Sequence, residues 1–119
     1  HLIHDAKQVA LGLARAGYRP TRPRSDVPVL GRSALATFRT GIHNFTRGGQ
    51  ISEHDALIAT KVATILCGGD REPGTASEQH FLDLEREAFL SLLGTKQTLE
   101  RIQHMLKKGK PLRADSIAR

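Results

Sequence analysis

Apolar residues recur every three or four positions along most of this chain, which is the spacing of one face of an α-helix. The clearest example runs from residue 82 to residue 112, where two such patterns are separated by Gly94 and Thr95. Both patterns predict an amphipathic helix with one buried face. The apolar positions are Leu82, Leu84, Ala88, Phe89, Leu92 and Leu93 in the first helix, and Leu99, Ile102, Met105 and Leu106 in the second.

The same spacing predicts three helices before this pair. The first runs from Leu2 to Ala16 with its stop at Gly17, the second from an N-cap at Ser33 to Arg47, and the third from Ser52 to a stop at Gly68-Gly69. A few residues join the second helix to the third, so we expect these two to form an antiparallel hairpin.

Side chains that cap helices set the remaining boundaries. Ser52 with Asp55 three residues later indicates a capping arrangement for the third helix. The run Thr75-Ala76-Ser77-Glu78 matches a capping box, which predicts that the fourth helix extends from about residue 76 to Leu93. Thr95 is suited to cap the fifth helix, and Gly109 with Pro111 ends it.

The segments between the helices show neither periodicity nor repeats. Residues 19–29 hold three prolines and predict an extended connector, and residues 70–77 predict a polar loop. With no strand pattern, the sequence predicts an all-α fold of about five helices. We expect residues 1–112 to form a single helical domain and residues 113–119 to form a loose tail.

The charge favours an anionic partner. Lysine and arginine number 18 against 12 aspartates and glutamates, so the net charge is +6, which suits nucleic acid, phosphate or CoA. Arg19, Arg22 and Arg24 could neutralise nucleic-acid phosphates, but no aromatic residues for base stacking accompany them. Residues 19–29 are therefore interpreted as a proline-rich linker. A basic nucleic-acid-binding module and a helical protein-interaction module both stay open as alternatives.

Few residues offer chemistry of their own. The six histidines lack the paired spacing of a structural zinc site, so we expect no metal site. Glu85 and Glu87 are two residues apart and do not share a helical face, so they do not form an acid–base pair. The single Cys67 ends an apolar helix and predicts a buried packing residue in a reducing, cytoplasmic setting. No run of about 20 apolar residues indicates a membrane span.

The last two helices carry a resemblance to a known family. The run Glu85-Arg86-Glu87-Ala88-Phe89, then a break, a second helix and a Lys-x-Lys-Pro ending, resembles the C-terminal segment of the crotonase (enoyl-CoA hydratase/isomerase) family. The sequence of residues 85–113 is similar to the C-terminal segment of bacterial proteins that fuse a 3-hydroxyacyl-CoA dehydrogenase to a crotonase-like domain. The similarity extends more weakly through residues 51–55 and 67–70.

The resemblance implies that this chain is the C-terminal fragment of a larger protein. It also implies a function for that protein and a binding role for the fragment. The larger protein would be an enzyme of fatty-acid β-oxidation that uses NAD and acyl-CoA, whereas this chain alone would be inert and bind no cofactor. In such proteins the terminal helices cover the acyl-CoA site and contact the rest of the chain or a second subunit of a homo-oligomer. Phe89 would then line the acyl-CoA pocket, and Lys108 with Lys110 would approach the CoA phosphates. Core packing for Phe89 and capping of the negative helix end for the lysines stay open as alternatives.

Overall fold

The structure, a computed structural model, describes residues 1–113. Five helices and two short strands follow one another: α1 (Leu2–Arg15), β1 (Val27–Val29), α2 (Gly31–Arg47), α3 (Glu53–Leu66), β2 (Gly74–Ala76), α4 (Glu78–Leu93) and α5 (Lys96–Lys108). The predicted all-α class is confirmed. The tail predicted for residues 113–119 lies outside the described residues except for Arg113.

The two strands form a small antiparallel sheet that the sequence did not indicate. Val27 lies opposite Ala76, and Val29 lies opposite Gly74. Their segments were predicted to be a connector and a polar loop, because three residues are too few for an alternating pattern to be recognised. Pro28 is tolerated here because each strand of a two-stranded ladder has a free edge. The sheet ties the residues before α2 to those before α4.

The predicted N-cap at Ser33 is wrong. Helix α2 begins two residues earlier, at Gly31, and no side chain caps it. Its first backbone N–H groups instead donate to carbonyl oxygens from another part of the chain, from Gly31 to Cys67 at 3.0 Å and from Arg32 to Arg71 at 2.6 Å. These tertiary acceptors satisfy donors that a helix N-terminus otherwise leaves free.

One of the two predicted capping boxes is confirmed and the other is wrong. The Ser52 hydroxyl accepts from the Asp55 N–H at 3.1 Å, and the Asp55 carboxylate accepts from the Ser52 N–H at 3.1 Å. Thr75, by contrast, belongs to strand β2. The N-cap of α4 is Ser77, whose hydroxyl accepts from the His80 N–H at 3.2 Å. Helix α4 therefore starts at Glu78, two residues later than predicted.

The core lies where the end of α3 meets β1, α2 and α4. Leu35, Ala63 and Cys67 are buried together, and Cys67 is fully inaccessible, which confirms its predicted packing role. The next residue, Gly68, has a φ of +79°, and a β-carbon there would overlap the side chain of Val29. Only glycine therefore allows the chain to turn this closely against β1.

Much apolar surface stays exposed beyond this core. The accessible surface is 9539 Å², against about 6,300 Å² for a compact monomer of the same mass. The radius of gyration is 19.5 Å, against about 13.5 Å for a compact domain of this length. Every residue of α1 is exposed, and α4 has no fully buried residue. Among residues 1–113, the face predicted to be buried is therefore left open on α1 and only partly covered on α4.

We expect Gly68→Ala to lower the free energy of unfolding by about 2–4 kcal/mol, because a left-handed residue and an overlap with Val29 both carry a cost. Gly49→Ala is the matched control, since Gly49 also has a positive φ of +72° but has no atom within 4 Å of an added β-carbon. Its cost should be about 1–2 kcal/mol. Urea unfolding of the two variants measures both values, and equal losses would contradict the close packing at Gly68.

Candidate functional site

The three residues predicted to bind acyl-CoA lie on the exposed surface of the last two helices. Phe89 on α4 is 53% exposed, and Lys108 and Lys110 lie at and just beyond the end of α5. Phe89 is about 6 Å from the α4–α5 turn and Lys108 about 18 Å from it, at 1.5 Å per helical residue. Phe89 and Lys108 therefore lie on two different helices, on either side of this turn.

A chain of hydrogen bonds joins the start of α3 to the start of α5. The Thr95 hydroxyl is 2.6 Å from the Leu92 carbonyl and 2.7 Å from the Thr98 hydroxyl, which is 3.0 Å from His54 Nε2. A carbonyl can only accept, so Thr95 donates to Leu92 and Thr98 donates to Thr95. In the contact between His54 and Thr98, His54 must then be the donor, so it is assigned the Nε2–H tautomer. Thr98 is the buried polar residue at the centre of this chain.

An ion pair lies beside this hydrogen-bonded chain. Arg101 Nη2 is 2.8 Å from Asp55 Oδ1, and the two side chains are 25% and 34% exposed. The other carboxylate oxygen of Asp55 accepts the Ser52 N–H of the capping box. One carboxylate therefore caps α3 and holds α5 at the same time.

Both neighbouring residues of α3 have shifted pKa values. Hydrogen bonds from the backbone and the hydroxyl of Ser52, followed by the contact with Arg101, lower the pKa of Asp55. Burial, together with the nearby Arg101 charge, lowers the pKa of His54. The arrangement thus favours a charged carboxylate beside a neutral imidazole.

Sequence reasoning missed this polar cluster of His54, Asp55, Thr98 and Arg101. His54 and Asp55 are adjacent in sequence, and adjacent residues of a helix do not share a face. Both reach α5 because their partners, Thr98 and Arg101, are one turn apart. The sequence does not show that α3 and α5 meet. Without that knowledge, the spacing of Thr98 and Arg101 does not predict contacts with His54 and Asp55.

An open cavity of about 570 Å³ adjoins the cluster. The residues that follow α5 border it on one side and the turn between α2 and α3 on the other, and Asp55 lies in its wall. The cavity is lined by Gly49, Gln50, Ile51, Ser52, Asp55, Leu112 and Arg113. The first half of α5 and the residues that follow the helix therefore both lie near the beginning of α3.

A second cavity of about 320 Å³ is an open groove between α3 and α4. Its floor is apolar, and Arg39, Lys61 and Glu87 provide charges at its rim. The apolar floor is formed by Leu57, Ile65, Leu84 and Ala88. The groove contains none of the three predicted CoA-binding residues.

Two other kinds of feature are absent from residues 1–113. In that range no three side chains from His, Cys, Asp or Glu come together as a metal would require. None of the described helices is long and apolar enough to cross a membrane. Another charged cluster is formed by Arg32, whose Nε is 2.7 Å from Asp70 Oδ1 and whose Nη1 is 3.1 Å from Glu72 Oε1. All three side chains are largely exposed.

Replacing Arg101 by alanine should destabilise the protein by about 1–2 kcal/mol, because the partly buried Asp55 loses a charged hydrogen bond. Lys96→Ala is the control on the same helix, since Lys96 is 87% exposed and only 3.7 Å from Glu100. Its cost should be below about 0.5 kcal/mol. Thermal or urea unfolding compares the two, and similar small losses would contradict a stabilising role for the Arg101 pair.

Stability should fall in two steps as the pH is lowered. The folded-state pKa of His54 is lowered, so the unfolded chain takes up this proton first and stability declines below about pH 6.5. The folded-state pKa of Asp55 is also lowered, so its contribution is present above about pH 4 and is lost as the pH falls further. In urea titrations, His54→Gln should remove part of the upper step, and an unchanged upper step would contradict this assignment.

The sequence of this chain is similar to that of a known protein. Over 114 residues, 95% of the chain, the sequence is 46% identical to a probable 3-hydroxyacyl-CoA dehydrogenase of Bacillus subtilis (strain 168). The chain spans 14% of the length of that relative. No family model matches the chain, and no solved structure matches it. The chain is therefore homologous to a segment of a probable 3-hydroxyacyl-CoA dehydrogenase, which confirms the dehydrogenase part of the predicted resemblance.

Proposed function

We propose that this chain is the C-terminal helical region of a larger fatty-acid β-oxidation enzyme, an NAD-dependent 3-hydroxyacyl-CoA dehydrogenase with a crotonase-like module. The observation that carries the proposal is the 46% identity to a probable 3-hydroxyacyl-CoA dehydrogenase over nearly the whole chain. The crotonase-like module rests on the resemblance of residues 85–113. In the larger enzyme this region covers the acyl-CoA site and contacts other domains or subunits.

The proposed role is binding and assembly rather than chemistry. The described residues contain no glycine-rich turn between a strand and a helix of the kind that holds the NAD pyrophosphate. NAD would therefore be held elsewhere in the larger enzyme, where it accepts the hydride from the substrate. The carboxylates Glu85 and Glu87 are both exposed on α4 and face no common site.

The exposed apolar surface supports a contact role. Leu2 and Ile3 on α1 are 85% and 86% exposed, and Leu106 on α5 is 81% exposed. Apolar helix faces that stay open to this extent are typical of surfaces that another protein segment covers. The remainder of the larger enzyme, or a second subunit, would cover it.

The acyl-CoA role rests on the chemistry at the end of α5. Lys107 and Lys108 end the helix, Gly109 turns the chain with a φ of +68°, and Lys110 follows. Three ammonium groups within four residues form a compact positive site for phosphates. Phe89 offers an exposed apolar ring on the neighbouring helix α4.

The arginine-rich connector is better explained as a structural link than as a nucleic-acid site. The Arg24 side chain pairs with Asp26 at 3.2 Å. The Arg24 carbonyl accepts the Glu78 N–H at 2.9 Å, which fixes the connector to the start of α4.

Lys108→Ala in the larger enzyme should weaken CoA binding roughly five- to tenfold, because one charged contact to a phosphate is lost. Phe89→Ala should weaken the binding of acyl-CoA more than that of free CoA, because in this proposal the ring borders the acyl group, which free CoA lacks. Isothermal titration with CoA and an acyl-CoA measures both effects. Lys96→Ala, at the other end of α5, is the control and should leave affinity unchanged.

Two results would overturn parts of this proposal. Unchanged affinities in both variants would leave the segment as a structural and assembly element and remove the acyl-CoA role. Failure of the larger enzyme to oxidise a 3-hydroxyacyl-CoA with NAD would remove the proposed reaction itself.

A further inference from the structure

Helix α5 depends on polar contacts for its place in the fold. Thr98 is its one buried residue and Ile102 is partly buried, whereas Leu99, Met105 and Leu106 are 46%, 45% and 81% exposed. Gly94 and Gly109 bound the helix on either side. With so little apolar burial, the side chains that reach another helix decide how α5 lies.

Those side chains are Thr98 and Arg101, which meet His54 and Asp55 at the start of α3. The contacts are 3.0 Å and 2.8 Å long. Two contacts one helical turn apart fix both the rotation of α5 about its axis and its position along that axis. A single contact would leave one of the two free.

Lys108 lies on the same face of α5 as Arg101, because residues seven apart are two turns apart on a helix. About 10 Å of helix separates them. Beyond Lys108, Leu112 and Arg113 line the cavity at the α2–α3 turn. The lysines therefore lie between the anchored Arg101 and the residues that border this cavity.

We propose that Arg101 and His54 are positioning residues for acyl-CoA. Through Asp55 and Thr98 they fix α5 so that Lys108 and Lys110 present their ammonium groups where the CoA phosphates bind. This inference rests on the proposed function of the two lysines. A lysine side chain is flexible, so a fixed backbone reduces the entropy lost when it binds a phosphate.

The two oxygens of Asp55 permit a selective substitution. Oδ2 accepts the Ser52 N–H within the capping box, and Oδ1 accepts Arg101. Asp55→Asn can keep the amide oxygen on the cap while its NH₂ group opposes the guanidinium. Arg101→Met removes the charge and keeps most of the apolar stem. These two changes break the pair from opposite sides, and Arg101→Lys is the conservative variant.

The test compares two substrates of the larger enzyme: a 3-hydroxyacyl-CoA and the matching 3-hydroxyacyl-pantetheine thioester, which lacks the nucleotide and its phosphates. Arg101→Met and Asp55→Asn should each raise KM for the CoA thioester roughly three- to tenfold, with kcat and the KM for the pantetheine thioester unchanged. His54→Ala should act in the same direction. Arg101→Lys should restore part of the preference, and Lys96→Ala should not alter it.

Each outcome separates this inference from the proposed function. If Lys108→Ala leaves the preference for the CoA thioester unchanged, the lysine site itself is overturned. If Lys108→Ala abolishes the preference but Arg101→Met and Asp55→Asn do not, only the positioning role is overturned. An equal rise in KM for both thioesters would show a general structural effect and would also overturn it. In support, Lys108→Ala with Arg101→Met should lose no more than Lys108→Ala alone.

Discussion

The turn formed by Cys67, Gly68 and Gly69 joins most of the folded part of this chain. The Cys67 carbonyl accepts the N–H of Gly31 at 3.0 Å, which starts α2. The Gly68 carbonyl accepts His80 Nε2 at 2.7 Å, which attaches α4. Because a carbonyl can only accept, His80 must carry its proton on Nε2. All three residues of the turn are buried, so these backbone groups have no access to water and need their partners.

Helix α3 thus organises the chain from both of its ends, by different physical means. At its C-terminus, close packing and backbone hydrogen bonds hold α2, β1 and α4. At its N-terminus, His54 and Asp55 hold α5 through polar side chains that are partly open to water. Hydrogen bonds of this kind contribute less than a buried core and respond to pH. The helix that carries the candidate CoA-binding lysines is therefore attached by the more sensitive of the two connections.

The large exposed surface connects the fold to its proposed role. A chain of 13.0 kDa that exposes 9539 Å² buries only about half of the surface of its unfolded form, where a typical domain of this size buries about two thirds. The helices nevertheless have clear apolar faces. This combination is expected of a segment whose core is completed by other parts of an enzyme, which agrees with homology to 14% of a longer dehydrogenase.

The sequence by itself determined the five helices, the Ser52 capping box and the glycine stops, because periodicity, caps and positive φ are decided within a few residues. Gly17, Gly49, Gly68 and Gly109 adopt the positive φ that is typical of such a stop, whereas Gly94 ends α4 with a φ of −75°. Phe89, Lys108 and Lys110 came from family resemblance, since periodicity cannot separate a ligand contact from core packing or a helix cap. Only the tertiary structure decided the starts of α2 and α4, the strand pair and the polar cluster. The His54–Thr98 contact spans 44 residues, and a pairing over such a distance leaves no local pattern in the sequence.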